Sequence, residues 1–373
     1  MTRLLRRNIM VVGQTPPPWH GQAIAIKELI ETNIDGINLE YVPVRFSRDI
    51  DEVGHFQWAK LPRLLSLVAN VWRTRFTRNC DVLYYPPGGL GIVAVVKDVI
   101  VLLSCRMLFK RVVFHSHAGG FTEVAEATPL PIRVLARLAY RRPDLLIQLT
   151  EASPPDGAHT KAKEIVYVPY GIPDNGARYT SKFREGDDIG IRILFVGAVR
   201  ATKGVMVLLE ACARLKEKRI AFKLRVVGDF NSAEFEADCK SFIDEHNLAD
   251  CVEFAGVLTG DDKWQTYCKS DIFCFPSYYP AENQPLVILE AMQFALPTVA
   301  TDWRSIPTMV ANGETGYVVP TNDSVAVAER ISLLIQNPEL RARMGSAARK
   351  VFLERYTDAV WRPAMGLALG KVF

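Results

Sequence analysis

Short apolar runs alternate along this chain with longer stretches of helical period. In the first half the runs are NIMVVGQ (8–14), LEYVPV (39–44), DVLYYPP (81–87), RVVFHSH (111–117), DLLIQLT (144–150) and EIVYVPYGI (164–172). Between them, apolar residues recur at helical spacing around 22–33, 57–77, 90–108 and 129–142. Runs apolar on both faces, each followed by a helix, predict a parallel sheet with crossover helices. The pattern restarts with strands at 191–198, 222–229, 251–258, 271–277, 298–301 and 316–319. Helices are predicted near 203–218, 232–247, 260–269, 285–295, 323–336 and 339–355. Between the halves, PDNGARYTSKFREGDD (173–188) is polar, Gly-bearing and aperiodic, as an interdomain linker would be. The expectation is two doubly wound α/β domains, 1–178 and 179–355, and a last helix over 356–373.

Bulk properties sharpen this only in places. At 373 residues the chain exceeds what one core usually supports. Its seven Cys are scattered, odd in number and without a C-x-x-C pair, which predicts a reducing compartment and argues against a disulfide or zinc framework. The run GLGIVAVVKDVIVLLSC is broken by Lys97-Asp98 and reads as a buried helix, and MTRLLRRNIMVVG is too short in its apolar part for a signal sequence, so the expected location is cytoplasmic. Net charge is +4 but uneven: residues 1–180 hold 22 Lys/Arg against 16 Asp/Glu, and the rest 23 against 25. The first half is therefore the expected face for an anionic partner. Within it, FQWAKLPRLLSLVANVWRTRFTR (56–78) mixes aromatic and basic residues, the composition of a peripheral membrane contact, though snorkelling arginines on an ordinary packed helix read the same way.

The candidate chemistry concentrates in PSYYPAENQPLVILEAMQFALPTVAT (276–301). Pro285 suits a first helical position, and Leu296-Pro297 ends the helix. Glu290 sits among apolar residues, where a carboxylate needs a partner, and no Lys or Arg on that helix supplies one. Glu282 lies in the loop feeding the helix, whose N-terminus suits a phosphate. A nucleotide sugar fits such a site, with its ribose at Glu290, its diphosphate at the helix tip and its sugar at Glu282. The plainer reading makes Glu282 a solvated loop residue and Glu290 a core-edge carboxylate.

AENQPLVILEAMQFALPTVAT resembles the paired-glutamate signature of the retaining glycosyltransferases of family 4. Their GT-B architecture implies two Rossmann-like domains facing a cleft, 1–178 for the acceptor and 179–355 for the nucleotide sugar, with the helix over 356–373 crossing back onto the first. Glu282, Pro285, Glu290, Ala291, Met292, Pro297 and Ala300 fall on that signature; Asn283 and Ala295 stand where Gly is usual. The resemblance extends to FVGAVRATKG, where Gly197, Lys203 and Gly204 match the donor-phosphate segment. Ala198 replaces the family's Arg, and Arg200 is the candidate substitute. It implies donor contacts from Asn283, Gln284, Pro285, Leu286 and the backbone at Val257. VVGDF (226–230) resembles the glycine turn facing the donor, and Thr308 replaces a Glu of mainly structural role. In TPPPWHGQ the family's Gly-Gly pair reads His20-Gly21, with Gly21 near donor phosphate and His20 toward the acceptor. In HSHAGGF, His117 matches the sugar-contacting His; His115 and Gly119 fall beside the acceptor, and Gly120 leaves room.

The resemblance implies transfer with retention of a hexose or N-acetylhexosamine, UDP-sugar favoured, to a glycan or lipid-diphosphate-linked acceptor. It implies catalytic roles for Glu282 and His117 and neither metal nor cofactor. Two alternatives compete: a degenerate, non-catalytic scaffold subunit, and a sugar-nucleotide epimerase.

Overall fold

The computed structural model describes residues 7–17, 21–44, 60–89, 91–179 and 190–373. These fall into two compact units, Met1–Tyr170 with Ala359–Phe373, and Gly171–Asp358.

In unit 1, β1 (Arg7–Gly13), α1 (Gly21–Glu31), β2 (Ile37–Pro43), α2 (Lys60–Thr77), β3 (Val82–Tyr85), α3 (Ile92–Cys105), β4 (Arg111–Ser116), α4 (Phe121–Glu126), α5 (Leu130–Tyr140), β5 (Leu145–Gln148), α6 (Asp156–Thr160) and β6 (Ile165–Tyr167) follow in order. The strands pair in parallel in the order β2-β1-β3-β4-β5-β6. They lack polar alternation because both faces are covered. Met10, Val12, Leu83 and Phe114 pack against Leu67, Val71, Leu102 and Ala136 of α2, α3 and α5. The alternate residues Ile9, Val11, Tyr84 and Val113 face Ile26 and Leu29 of α1. Each fully buried side chain of this size contributes about 1.5–3 kcal/mol. The short helices α4 and α6 escape the periodicity, which needs more than two turns to register.

Unit 2 opens with α7 (Gly176–Tyr179), then β7 (Ile191–Val196), α8 (Val205–Glu217), β8 (Phe222–Val227), α9 (Ala233–Glu245), β9 (Val252–Phe254), α10 (Gly260–Cys268), β10 (Ile272–Phe275), α11 (Leu286–Gln293), β11 (Thr298–Thr301), β12 (Gly316–Val319), α12 (Ser324–Gln336) and α13 (Pro338–Arg355). Its parallel sheet runs β12-β11-β10-β7-β8-β9. Side-chain caps start two of the helices: Phe235 N donates to Ser232 Oγ at 3.2 Å, and Ala326 N to Asp323 Oδ1 at 2.8 Å.

The expected linker differs. Residues 173–179 belong to unit 2, where Arg349 grips Asp174 with two nitrogens at 2.7 and 2.6 Å and Asn175 N donates to Gln293 Oε1 at 2.7 Å. The remainder of that segment, 180–188, lies outside the described residues. The last helix, α14 (Asp358–Gly370), inserts Trp361, Met365 and Leu369 into the α1 side of unit 1.

Candidate functional site

In each sheet the chain order reverses once, between β1 and β3 in unit 1 and between β7 and β10 in unit 2. Ligands of open α/β sheets bind beyond the strand carboxyl ends at such reversals, because the two loops there diverge and leave a crevice. In unit 2 those loops are 197–204 and 276–285, the two segments singled out by sequence.

The two loops are stitched together. Tyr278 N donates to Thr202 O at 2.8 Å, and Lys203 Nζ reaches Glu282 Oε2 at 2.5 Å. Ser277 Oγ donates to the same carboxylate oxygen at 2.7 Å. Glu282 is 7% exposed, which removes the solvated-loop reading for it. Lys203 Nζ lies 4.7 Å and Arg200 Cζ 5.3 Å from the Tyr279 ring centroid, so one aromatic ring gathers both cations. Arg200 thus stands with Lys203 although the family's position at 198 holds Ala. Gly204, at φ +76°, is pressed against the backbone: a Cβ there would lie 2.1 Å from Pro276 O. Gly197 ends β7 against Gly228, whose own Cβ would meet Gly197 O at 1.9 Å.

Asn283 and Gln284 are buried, and Ser305 Oγ donates to Asn283 Oδ1 at 3.1 Å, anchoring the loop from behind. Pro285 occupies the N-cap of α11 rather than its first turn, and Leu286 begins the helix. Ala295 takes φ +56°, the left-handed region that explains why Gly is usual at this place; Ala holds it at about 1–2 kcal/mol.

Glu290 lies about 6 Å along α11 from its start. Its missing partners come from α10: Lys263 Nζ reaches Oε1 at 2.5 Å, and Tyr267 hydroxyl donates to Oε2 at 2.8 Å. Burial, and then the Glu290 charge, push the Tyr267 phenol well above its ordinary range, so it stays a donor. Lys263 and Tyr267 were not among the residues predicted for the site. Their signal was present: they stand four apart on a predicted helix, hence on one face. The loop 255–259 leads directly into that helix and carries Val257, 63% exposed.

In unit 1, HSHAGG follows β4 and is fixed by Asp156. This carboxylate, wholly buried, accepts from Thr122 Oγ1 at 2.6 Å, Thr122 N at 3.0 Å, Ser116 Oγ at 3.1 Å and Gly120 N at 3.2 Å. Desolvation raises its pKa against the lowering effect of those donors. Asp156 thereby satisfies the start of α4, a residue and a role that periodicity does not disclose.

His117 Nδ1 bonds Tyr170 hydroxyl, and its ring stacks on Tyr170 with centroids 5.7 Å apart. The expectation for His115 needs correction. It is 1% exposed, its Nδ1 bonds Tyr84 hydroxyl at 2.5 Å, and burial drops its pKa to about 3. Its ring lies 4.0 Å from that of His117, so it packs against His117 rather than offering a surface to an acceptor. Gly119 is buried and Gly120, at φ +82°, starts α4; Gly21 is exposed at the start of α1. His20 lies outside the described residues.

Comparison with known proteins places this geometry. Residues 181–351 match the sequence model of the family described as Glycosyl transferases group 1. A protein of Escherichia coli named as a colanic acid biosynthesis glycosyltransferase, WcaL, is 31% identical over 150 residues, which are 39% of this chain and 36% of that relative. The match spans little over a third of the relative's length. Sucrose-phosphate synthase from Thermosynechococcus elongatus superposes with a TM-score of 0.75 at 16% identity, over 99% of both chains. HepE from Anabaena, in complex with UDP, gives 0.72 at 19% identity over 97% of this chain and 99% of its own. Two six-stranded parallel sheets flanked by helices, in this arrangement, are the GT-B fold.

Proposed function

From the match of residues 181–351 to the glycosyl transferases group 1 model, we propose that the chain moves a hexose or N-acetylhexosamine from a nucleotide diphosphate sugar, a UDP-sugar by preference, to a glycan or lipid-diphosphate-linked acceptor in bacterial surface polysaccharide assembly. The observation that carries the reading is the Lys203–Glu282 pair at the β7/β10 reversal, with Glu290 one helix turn beyond it. The relative named for colanic acid biosynthesis and the fold neighbour crystallised with UDP support the pathway class and the base.

In this reading the transferred sugar keeps its anomeric configuration. Lys203 and Arg200 stabilise the leaving diphosphate, with the backbone at Gly197 close against it. Glu282 orients the sugar and balances charge developing at its anomeric carbon. Asn283, Gln284 and the α11 start at Pro285 and Leu286 line the donor, Val257 meets the base and Glu290 accepts from the ribose hydroxyls. For unit 1 the family resemblance alone assigns His117 to the sugar, Gly21 to a donor phosphate and Gly119 to the acceptor. The leaving phosphate assists deprotonation of the incoming hydroxyl on the same face, so no protein nucleophile and no metal are invoked.

A thermal-shift series against UDP- and GDP-sugars tests the donor site. A ligand at about a hundred times its Kd stabilises by about 2.7 kcal/mol, or several degrees of Tm at this size. One base series is expected to shift the wild type, and Glu290→Ala to abolish the shift. No shift with any nucleotide sugar would end the transferase reading.

Of the two readings of 56–78, whose residues 56–59 lie outside the described ones, we propose the peripheral membrane contact, on a wider face. Among the described residues no helix is long and apolar enough to cross a membrane. Yet Leu65, Trp72 and Phe76 of α2, Met107 after α3, and Leu130, Val134 and Leu138 of α5 are all exposed. The elements that carry them are tied together: Trp72 Nε1 donates to Ser104 O at 3.1 Å, and Arg106 donates to Ala139 O at 2.5 Å and Arg141 O at 2.7 Å. Neither α2 nor α5 contains an acidic residue, while Arg63, Arg73, Arg133 and Arg137 lie on them. Apolar side chains within such a basic frame suit an anionic bilayer. The protein is expected to co-sediment with phosphatidylglycerol vesicles and not with phosphatidylcholine, and Phe76→Ser with Leu138→Ser to release it. Equal binding to both vesicle types would overturn the contact.

A further inference from the structure

Lys263 has no part in the reading so far, and the structure gives it a distinct place. Its ammonium lies 2.5 Å from Glu290 Oε1 and 4.8 Å from the Trp264 ring centroid, and its side chain is 22% exposed against 10% for Glu290. Trp264 in turn stacks on Phe294, ring centroids 6.2 Å apart, at the end of α11. The cation is thus seated on a rigid aromatic base beside a nearly buried carboxylate. Resting on the assignment of Glu290 to a ribose, we propose that Lys263 is a positioning residue that makes the site prefer ribonucleotides to 2′-deoxyribonucleotides.

The argument is one of lone pairs. A carboxylate offers about four acceptor positions, two on each oxygen. Lys263 occupies one on Oε1 and Tyr267 hydroxyl one on Oε2, at 2.8 Å. One position per oxygen is left, and the carboxylate is held at both ends, so its plane cannot turn. Two adjacent acceptors with a fixed orientation match the two neighbouring hydroxyls of a ribose. A 2′-deoxyribose fills only one and leaves the other oxygen of a nearly buried anion without a donor, the situation in which polar sites discriminate best. Remove Lys263 and the carboxylate is tethered at Oε2 alone. It can then turn to satisfy itself with one hydroxyl, and the second hydroxyl stops mattering. Lys263 also supplies the counter-charge that a carboxylate at this depth requires.

The test is calorimetric titration of the full chain with UDP and 2′-deoxy-UDP, for the wild type, Lys263→Met, Lys263→Arg and Glu290→Gln, each checked for folding by circular dichroism. Lys263→Met keeps the stem on Trp264 and removes only the ammonium. The wild type is expected to prefer UDP by about tenfold, the net worth of one hydrogen bond, Lys263→Met to narrow the ratio to within about twofold by weakening UDP, and Lys263→Arg to retain most of it. A general loss of structure would weaken both nucleotides alike and leave the ratio unchanged, which counts against the proposal. If Glu290→Gln loses the preference while Lys263→Met keeps it, the role of Lys263 is overturned and the ribose assignment stands. If the wild type shows no preference, or folded wild type binds neither nucleotide, both fall together.

Discussion

Lys203→Met is expected to lower sugar transfer by about 10²–10³-fold, the range measured when one preorganised group facing developing charge is removed. The variant should also destabilise unit 2, and the two effects have different origins. The Lys203 and Glu282 side chains are 15% and 8% exposed, so the pair is largely out of water. Removing the ammonium leaves Glu282 with the hydrogen bond from Ser277 Oγ at 2.7 Å. Breaking a pair at this depth from one side costs about 3–5 kcal/mol, because a charge stays behind without its counter-charge. Adding Glu282→Gln removes that stranded charge. The double variant should therefore regain much of the stability and none of the transfer. Urea melts and initial rates, measured with the nucleotide sugar that gives the largest thermal shift, complete the cycle. Wild-type rates in Lys203→Met would remove Lys203 from the chemistry.

The second large effect belongs to unit 1. Asp98→Ala is expected to cost about 3–5 kcal/mol, summed over three donors stranded in the interior. Asp98 is fully buried in α3 and accepts from Gly88 N at 2.6 Å, Tyr85 hydroxyl at 2.7 Å and Tyr140 hydroxyl at 2.8 Å, with Lys97 Nζ 3.2 Å away. Burial, and then the Asp98 charge, raise both phenols well above their ordinary range, so neither can shed its proton to escape. The same carboxylate holds the loop after β3, at the chain-order reversal of this sheet, against α3 and α5. Converting Asp98 to Leu together with Tyr85→Phe and Tyr140→Phe should be milder than Asp98→Ala alone, since no polar group is then left over. Chemical denaturation reads the cost, and limited trypsinolysis should find Asp98→Ala cut sooner. A change below about 1 kcal/mol would mean that water replaces the carboxylate.

These two residues also mark how far the sequence could be read. Periodicity located every strand of both sheets and the long helices, because a strand buried on both faces and a helix of ten or more residues leave a pattern that local composition cannot hide. It missed α4, α6 and α7, which are too short for a period. Lys203, Glu282 and Glu290 were legible because glycine turns, a helix start and an apolar run constrain what may stand beside them. Their partners were less so. Lys97-Asp98 was noticed as a break in an apolar stretch, but nothing local says that two tyrosines 13 and 42 residues onward or back in the chain converge on it. Asp156 meets Ser116 across 40 residues. His115 shows the converse: its strand-end position looks functional, and only the fold reveals that it is 1% exposed and bonded to Tyr84. Long-range pairing among polar side chains carries no periodic signature, and the fold alone brings it out.

One earlier detail bears on how this chain could be rebuilt. Ile172 N donates to Tyr356 O at 2.9 Å and Asp358 N to Ile172 O at 3.1 Å, so the first and last residues of unit 2 run side by side. Unit 1, by contrast, is assembled from two separate stretches and takes α14 from beyond unit 2. In construction terms unit 2 is a cassette: a single continuous segment, Gly171–Asp358, whose two ends share one seam. Exchanging it for the corresponding segment of another GT-B chain would cut no strand of either sheet, whereas a truncation at residue 355 would strip unit 1 of Trp361, Met365 and Leu369 from its own core.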